Sequence, residues 1–414
     1  MQTISVPSGR WHENKERELT FPSGWEVTDL TSPGFDSPAL SPARIKSRLM
    51  APVAGPSLEE LAKGKKEVVI VFDDMTRPTP VGDVAAPLLE ILHTAGITKE
   101  RIRFVWALGT HAAYDMGNAR KKLGDEIVEN YAVYNHDPFQ NNVLIGRTPA
   151  GTDLWFNREV MSCDLKIGIG CTTPHPHVGF GGGAKIVMPG VAGIETTVRF
   201  HDLALRNRRQ TGLGNFDNNI MRKECDAAGE MMGLDFKVDC LINRRGLITS
   251  LYAGSFREVH AASAEEAREH YGIPFATGFD VVVCNAYGKA TEAAIAAMVG
   301  LPAIRPDGSS SMVLIIDAPE GQVPHYVMRC WGTGFGGRHY EPKIAGKGLI
   351  RTMLKRLIIF APHPDPTMLD LLCHPGDAVV VKTWSGVREI LENDHPQTAR
   401  ACVIQDGTMQ YMRR

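Results

Sequence analysis

The sequence predicts an α/β fold with two domains, each built on a mostly parallel sheet flanked by helices. Runs of buried-strand character alternate with segments of helical apolar spacing, and the alternation begins again after residues 272–278. Such alternation is typical of parallel strands joined by right-handed helical crossovers. A length of 414 residues suits two or three domains of ~100–200 residues each. Because ligands favour interdomain crevices, we expect the active site in the cleft between the domains.

The first domain is expected to span residues 1–275. Short apolar runs indicate its strands and apolar residues at helical spacing indicate its helices. The predicted strands are Val68–Phe72, Ile102–Leu108 and Leu165–Ile169, followed by two apolar stretches on either side of a turn at Asn243–Gly246. The predicted helices are Asp83–Gly96, Asp125–Tyr131, Glu195–Arg206 and Ser255–Tyr271.

A smaller α/β domain is expected over residues 276–399. Its strands are predicted at 280–286, 311–319, 357–362 and 377–383, with a last strand at 401–407. Its helices are predicted at Thr291–Met298, Lys347–Arg356 and Val387–Asn393.

Composition narrows the class of partner to a small molecule. The formal net charge is -2 and no basic block occurs, which argues against nucleic acid or an anionic membrane surface as the partner. No apolar signal core or stretch of ~18 apolar residues is present, so we expect a cytoplasmic protein. The 8 cysteines lack CxxC spacing, which disfavours zinc fingers and disulfide scaffolds.

The segment from Thr172 to His201 concentrates the candidate functional residues. It lies between a predicted strand and a predicted helix and contains His175, His177, a loop with four glycines at 179 and 181–183, Lys185 and His201. Glycines let the backbone approach a bound group, and their amides could hold an anion. No Ser or Thr follows the lysine, so this is not a P-loop and a nucleoside triphosphate is not expected.

Two further motifs follow neighbouring strands. Asp74, Thr76 and Arg77 come directly after Val68–Phe72, at the strand edge where α/β proteins bind ligands. An arginine fork suits a carboxylate, although a helix cap with a surface ion pair explains the same residues. His111 ends the next strand, where a general base is useful, although a lone histidine at a strand end is often incidental.

These motifs together resemble the nickel-pincer lactate racemase family. The resemblance rests on Asp74-Met75-Thr76-Arg77-Pro78, Gly109-Thr110-His111, the segment HPHVGFGGGAK, Pro189-Gly190, and a histidine sixteen residues after the lysine. It implies that Lys185 carries the nickel-pincer nucleotide (nickel pyridinium-3-thioamide-5-thiocarboxylic acid mononucleotide) covalently. His201 would be the protein's nickel ligand.

The resemblance also implies roles for the remaining motif residues. Asp74, Met75, Thr76 and Arg77 would contact the cofactor, Arg77 would hold the substrate, and His111 and His175 would be the two proton acceptors. The final strand, residues 400–414, would return to the first domain. No role follows for His177, or for His136 in Asn135-His136-Asp137.

The implied function is racemisation or epimerisation of a 2-hydroxy acid by hydride transfer to and from the cofactor. Each face of the carbon needs its own base, and a histidine near its ordinary pKa of ~6.5 can serve at neutral pH. The family's glutamine and lysine substrate contacts are replaced by alanines within Tyr287–Met298. We therefore expect a substrate other than lactate, with Lys289 a candidate to replace the lost charge.

Three alternatives remain open. The chain could be a non-racemising 2-hydroxy acid oxidoreductase with the same cofactor, or a non-catalytic nickel- or cofactor-binding protein. A zinc hydrolase using His175, His177 and His201 is less consistent with the sequence, because no HExxH spacing is present.

Overall fold

A computed structural model describes residues 2–327, 352–369, 372–373 and 376–413. Within these residues the chain forms two compact units, and strands and helices are numbered along the chain. The large unit contains Asp36–His270 and residues 324–327. The small unit contains residues 2–35, 271–323 and the described residues from 352 onwards.

The large unit is built on a six-stranded sheet in the order β13-β12-β9-β4-β5-β6. All neighbouring strands are parallel except the β12–β13 pair. The six strands are β4 (Val68–Asp73), β5 (Ile102–Ala107), β6 (Ala132–Asn135), β9 (Leu165–Cys171), β12 (Phe236–Ile242) and β13 (Ile248–Gly254). Two hairpins accompany them, β7 (Asn142–Arg147) with β8 (Asp153–Asn157), and β10 (Pro174–His175) with β11 (Gly179–Phe180).

Nine helices of the large unit connect or cover these strands in the described residues. They are α1 (Pro42–Leu49), α2 (Leu58–Ala62), α3 (Val81–Thr94), α4 (Met116–Leu123), α5 (Asp125–Asn130), α6 (Arg158–Met161), α7 (Ile194–Arg206), α8 (Ile220–Met232) and α9 (Phe256–His270). Alternate residues of β4 and β5, among them Val69, Val71 and Val105, pack in one core with Phe200 of α7 and Met221 of α8. Period-2 burial of the strands thus meets the apolar faces of two helices.

The small unit has an all-parallel sheet in the order β18-β17-β16-β15-β19-β3. Its strands are β3 (Glu26–Leu30), β15 (Val281–Ala286), β16 (Ser311–Ile316), β17 (Arg356–Phe360), β18 (Ala378–Val381) and β19 (Arg400–Ile404). The hairpin β1 (Gln2–Ser8) with β2 (Lys15–Phe21), the pair β14 (Gly272–Ile273) with β20 (Tyr411–Met412), and helices α10 (Ala294–Gly300) and α11 (Trp384–Asp394) belong to the same unit.

The mixed α/β fold with parallel-dominated sheets agrees with the expectation from the sequence, but the two chain ends differ from it. Strand β3 pairs with β19, and β19 also pairs with β15, so both ends of the chain join the small unit. The sequence predicts a return of residues 400–414 to the first domain; in the structure β19 lies in the small unit beside β3, a segment that the same prediction assigned to the first domain. The pairing joins strands more than 370 residues apart, which no local pattern encodes. The helix predicted at Lys347–Arg356 lies largely outside the described residues.

No helix within the described ranges is both long and apolar enough to cross a membrane.

His136, whose role could not be predicted from the motifs, is a buried structural residue of the large unit. Its Nε2 donates to the carbonyl oxygen of Ala192 at 2.9 Å, and Asn157 donates its amide to Nδ1 at 3.1 Å. Burial lowers the pKa of His136 to about 4, although the Ala192 carbonyl and Asp137 oppose that change. The neutral ring thus ties the segment after β6 to the loop before α7.

This burial predicts a pH dependence of stability that His136→Gln removes. In the unfolded chain the imidazole binds a proton near pH ~6.5, whereas in the folded chain it stays neutral down to about pH 4. The unfolded state therefore gains protons as the pH falls through this window, which lowers the free energy of unfolding by up to about 3 kcal/mol. Urea denaturation between pH 7 and 4.5 should show a shallower decline for His136→Gln than for the parent protein. The exposed His12→Gln serves as control, and an equal effect of both substitutions would contradict this account.

Candidate functional site

The predicted motifs meet at one edge of the large unit's sheet. Strand β4 has β5 on one side and β9 on the other, so the chain order changes direction between β4 and β9. Loops at the carboxyl ends of strands beside such a switch point are where open α/β sheets bind ligands. The three loops that leave β4, β5 and β9 carry Asp74, His111 and His175 respectively.

A short hydrogen bond joins the first two loops. The Asp74 carboxylate accepts from His111 Nδ1 at 2.6 Å, and its other oxygen accepts from the Thr76 amide at 2.9 Å and the Thr76 hydroxyl at 2.5 Å. Arg77 donates to the Thr76 hydroxyl at 2.8 Å and remains partly exposed. Since a carboxylate only accepts, Nδ1 of His111 carries the proton of this bond, and in the neutral ring the lone pair is on Nε2.

The pKa of Asp74 shows that this carboxylate is held ionised. Burial opposes the charged form, but the charge and hydrogen bond of His111, followed by the charge of Arg77 and the Thr76 hydroxyl, hold the pKa of Asp74 well below its usual value. Asp74 thus orients His111 as a hydrogen-bond acceptor towards the ligand side. This arrangement of carboxylate and imidazole is the one that makes a histidine a general base.

Lys122 of α4 holds the loop after β4 in place. This role was not predicted from the sequence. The fully buried ammonium of Lys122 contacts the Asp73 carboxylate at 2.9 Å and donates to the carbonyl oxygens of Asp74 at 2.8 Å and Arg77 at 2.6 Å. Thr79 donates its hydroxyl to the other oxygen of Asp73 at 2.5 Å. One buried cation therefore fixes both ends of the segment that carries Asp74 and Arg77.

The glycine-rich loop is tied to protein at two of its amides, contrary to the expectation that it offers them to an anion. The amide of Gly181 donates to the Thr173 carbonyl at 2.7 Å, and that of Gly183 donates to the buried Asp239 carboxylate at 2.6 Å. Gly182 has a φ of 80°, and a Cβ there would lie 2.5 Å from the Thr172 hydroxyl. Glycine is required because the backbone packs closely against its neighbours.

The Pro189-Gly190 motif joins the loop after β5 to the lysine segment. The amide of Gly109 donates to the carbonyl of Gly190 at 2.8 Å, and Gly109 has a φ of 57°. A Cβ at Gly190 would lie 2.0 Å from the carbonyl oxygen of Ile186. This close approach fixes His111 relative to the segment that carries Lys185.

His201 lies on the buried face of α7 as a neutral imidazole. Its Nδ1 donates to the carbonyl oxygen of Thr197, one turn earlier, at 2.8 Å. The pKa of His201 is lowered to about 3, mainly by burial and also by the charges of His177, Lys185 and His111. Nδ1 is therefore the protonated nitrogen and Nε2 keeps its lone pair, which is the form in which imidazole binds a metal.

Five histidine rings form a continuous row across the site, here called the histidine row. Centroids of successive rings lie 4.9 Å apart for His111 and His325, 5.6 Å for His325 and His201, 5.7 Å for His201 and His177, and 5.7 Å for His177 and His175. The two predicted proton acceptors are at the ends and the predicted nickel ligand is in the middle. His325, which the sequence analysis did not select, joins the row from 324–327.

His175 differs from His111 in the nitrogen that protein groups occupy. The amide of His177 donates to Nδ1 of His175 at 3.1 Å, so the proton of the neutral ring is on Nε2. The hairpin β10–β11, in which His175 pairs with Gly179, holds the ring in this position. Both ends of the row therefore carry an imidazole whose Nδ1 is engaged by the protein.

The residues present are compatible with the pincer nucleotide. His201 offers one unprotonated nitrogen, since its Nδ1 is engaged by the Thr197 carbonyl oxygen. Met75, predicted to contact the cofactor, has only 3% of its surface exposed, and Thr76 has none. Among the residues that the structure describes, no group of three or more His, Cys, Asp or Glu side chains is arranged to hold a metal ion.

Lys289 does not have the exposure expected of a substrate contact. Within the small unit Lys289 is 1% exposed. Its backbone amide donates to the Thr408 hydroxyl at 2.9 Å. Its charge acts on the buried Asp406 carboxylate, whose pKa burial raises. Its burial is not what the sequence alone suggests for a side chain that replaces a substrate contact, and that role stays a prediction.

Comparison with known proteins shows what the chain resembles. Residues 12–212 match the lactate racemase N-terminal domain, a range that contains every candidate site residue from Asp74 to His201. Lactate racemase of Lactiplantibacillus plantarum is 27% identical over 67% of this chain and 66% of its own length. That of Thermoanaerobacterium thermosaccharolyticum is 28% identical over 54% of this chain and 53% of its own length.

Both alignments thus cover less than two thirds of these relatives' own lengths. Among solved structures, the lactate racemase apoprotein from Thermoanaerobacterium thermosaccharolyticum superposes with a TM-score of 0.76 at 21% identity, covering 100% of both chains. A protein from Thermotoga maritima superposes with a TM-score of 0.66 at 19% identity, over 92% of this chain and 100% of its own. These structural matches show that the chain shares their fold.

The buried tie at Lys122 predicts a large difference between two adjacent lysines. Lys122→Met leaves the Asp73 carboxylate buried without its cation, which should lower the free energy of unfolding by roughly 3–5 kcal/mol. Lys121→Met is the matched control because that side chain is exposed, and exposed substitutions usually change stability by about 0.5 kcal/mol or less. Chemical denaturation of both variants checks this, and equal losses would contradict the assigned role of Lys122.

Proposed function

We propose that this protein racemises or epimerises a 2-hydroxy acid with a nickel-pincer nucleotide bound at the histidine row. The observation that carries the proposal is the row itself, with His111 and His175 at opposite ends and His201 between them. An inversion that passes through a planar ketone needs one acid–base group for each face of the carbon. Two histidines separated by the metal ligand meet that need, whereas a cofactor-binding protein without catalysis has no use for them.

The two histidines exchange protons on opposite faces of the carbon. His111 accepts the hydroxyl proton on Nε2 because Asp74 occupies its Nδ1. The proton returned to the oxygen on the other face comes from the imidazolium form of His175, which leaves a neutral ring. One proton is taken and one is returned, and in the reverse direction the two residues exchange roles.

Arg77 is the proposed carboxylate anchor of the substrate. It is partly exposed beside the loop that carries Asp74, and its guanidinium can engage two carboxylate oxygens at once. A fixed carboxylate keeps C2 in place while the ketone exposes its other face. Lys185 and His201 would hold the cofactor, which when bound accepts the hydrogen of C2 as hydride and returns it.

The proposed substrate is a 2-hydroxy acid other than lactate. The support is the alanine-rich segment where the family resemblance expects glutamine and lysine contacts. Ala293, Ala296 and Ala297 are buried within the small unit, and alanine side chains offer no polar group for those contacts. Alanines would give a three-carbon acid such as lactate fewer polar contacts and leave more space beside it. Both effects favour larger 2-hydroxy acids.

Covalent cofactor attachment should depend on Lys185. Intact-mass analysis of protein from a host that makes the cofactor should show the adduct on the parent protein and none on Lys185→Ala. Lys185→Arg is the matched control because it keeps the positive charge but removes the amine, so it should also lack the adduct. An adduct that persists on Lys185→Ala would contradict the assignment of this lysine.

Substrate choice can be measured with single enantiomers of lactate, malate, tartrate and mandelate. The holoenzyme should convert at least one larger acid to its mirror image or epimer with a higher kcat/KM than lactate, as followed by chiral chromatography. Keto acid that accumulates without the opposite enantiomer would instead indicate a non-racemising oxidoreductase. Lactate as the best substrate of the panel would contradict the altered substrate choice.

A further inference from the structure

Residues 324–327 form a short antiparallel bridge with the loop that carries His111. The Tyr326 amide donates to the Thr110 carbonyl at 2.8 Å, and the Ala112 amide donates to the Pro324 carbonyl at 3.3 Å. These bonds bracket His111 and His325, which face each other as bridge partners. The segment lies more than 200 residues away in sequence, yet it belongs to the same unit as the histidine row.

Two groups of the protein contact Nδ1 of His325 and hold its ring in place. The Val327 amide donates to this nitrogen at 3.3 Å, and the Thr110 hydroxyl lies 3.3 Å from it. Nδ1 is therefore an acceptor, and the neutral ring has its proton on Nε2. Held in this way, the ring meets His111 at an interplanar angle of 69° and His201 at 90°, so it fills the space between the two.

We infer that His325 is a positioning residue for His111. The hydrogen bond that His111 donates to Asp74 fixes Nδ1, and the ring can still tilt about that bond. The edge of His325 closes the space into which His111 would tilt, and His201 stops His325 from moving away. The inference rests on the proposed function in one respect, which is that His111 acts as an acid–base group.

The effect on His111 can be measured in the apoprotein, without turnover. In protein with ¹⁵N-labelled histidine, the Nδ1 proton of His111 should give a slowly exchanging NMR signal that Asp74→Asn abolishes. His325→Ala should raise its exchange rate with water by about tenfold or more, since a tilting ring breaks the bond to Asp74 more often. His325→Phe, which keeps a flat ring against His111, should restore most of the protection.

His177→Ala is the matched control. Like His325, His177 contacts His201, but it is not adjacent to His111 in the histidine row. It should leave the His111 signal unchanged. Hydrogen exchange in the parent protein adds a test that needs no variant, since the amides of Tyr326 and Ala112 should be protected. Free exchange of these amides, an unchanged signal in His325→Ala, or equal effects of His325→Ala and His177→Ala would overturn the inference.

Kinetics of the holoenzyme separate positioning from substrate binding. On the best substrate, His325→Ala should lower kcat by roughly 10- to 100-fold and change KM by no more than about twofold, with most of kcat recovered in His325→Phe. A loss of kcat as large in His325→Phe as in His325→Ala would show that the imidazole nitrogens act directly, and would overturn the positioning role. Should the parent protein racemise nothing, the proposed function fails while the NMR result still decides the inference.

Discussion

The hydrogen bond between Asp74 and His111 is the interaction on which the site depends. It joins loops from two adjacent parallel strands, and it puts a negative charge in a place that burial makes unfavourable. That charge persists because His111, Arg77 and Thr76 surround it, and because Lys122 neutralises Asp73 directly behind it. A buried carboxylate with so many partners fixes the geometry of each of them, which is the preorganisation that acid–base chemistry requires.

The same requirement explains the small residues around the site. Gly109 lets the loop with His111 approach Pro189-Gly190, and Gly182 lets the lysine loop approach Thr172 and Asp239. Arg222 of α8 then holds that loop from outside by donating to the carbonyls of Phe180 and Gly182. The glycines thus serve the packing of loop on loop, and the polar side chains that hold the loops are themselves buried.

The sequence was informative wherever the decisive contacts are local. Strands such as Val68–Asp73 and Leu165–Cys171 are continuous apolar runs, and the buried residues of Ile194–Arg206 repeat at helical spacing. Motif order likewise indicated that Asp74, His111 and His175 lie at one sheet edge, because parallel strands bring their carboxyl ends together. Three features depended on distant contacts and could not be predicted: the pairing of β3 with β19, the arrival of His325, and the burial of Lys122. Lys122 looks like any helical lysine until Asp73 is found beneath it.

Lys289 shows how little a charge near a substituted motif reveals by itself. It follows a buried strand, is 1% exposed, and its backbone amide donates to the Thr408 hydroxyl. A polar residue next to a family motif therefore needs a known burial before a ligand role is inferred from its position.

The most direct test of the proposed chemistry follows the hydrogen on C2. A single enantiomer of a converted 2-hydroxy acid, carrying deuterium at C2, is incubated with holoenzyme in ordinary water, and the opposite enantiomer is isolated and analysed by mass spectrometry. The account predicts that the product keeps its deuterium, because a hydrogen that leaves and returns as hydride does not exchange with solvent protons. Product that has lost its deuterium to water would show that C2 is deprotonated instead, and would contradict the roles proposed for His111, His175 and the bound cofactor.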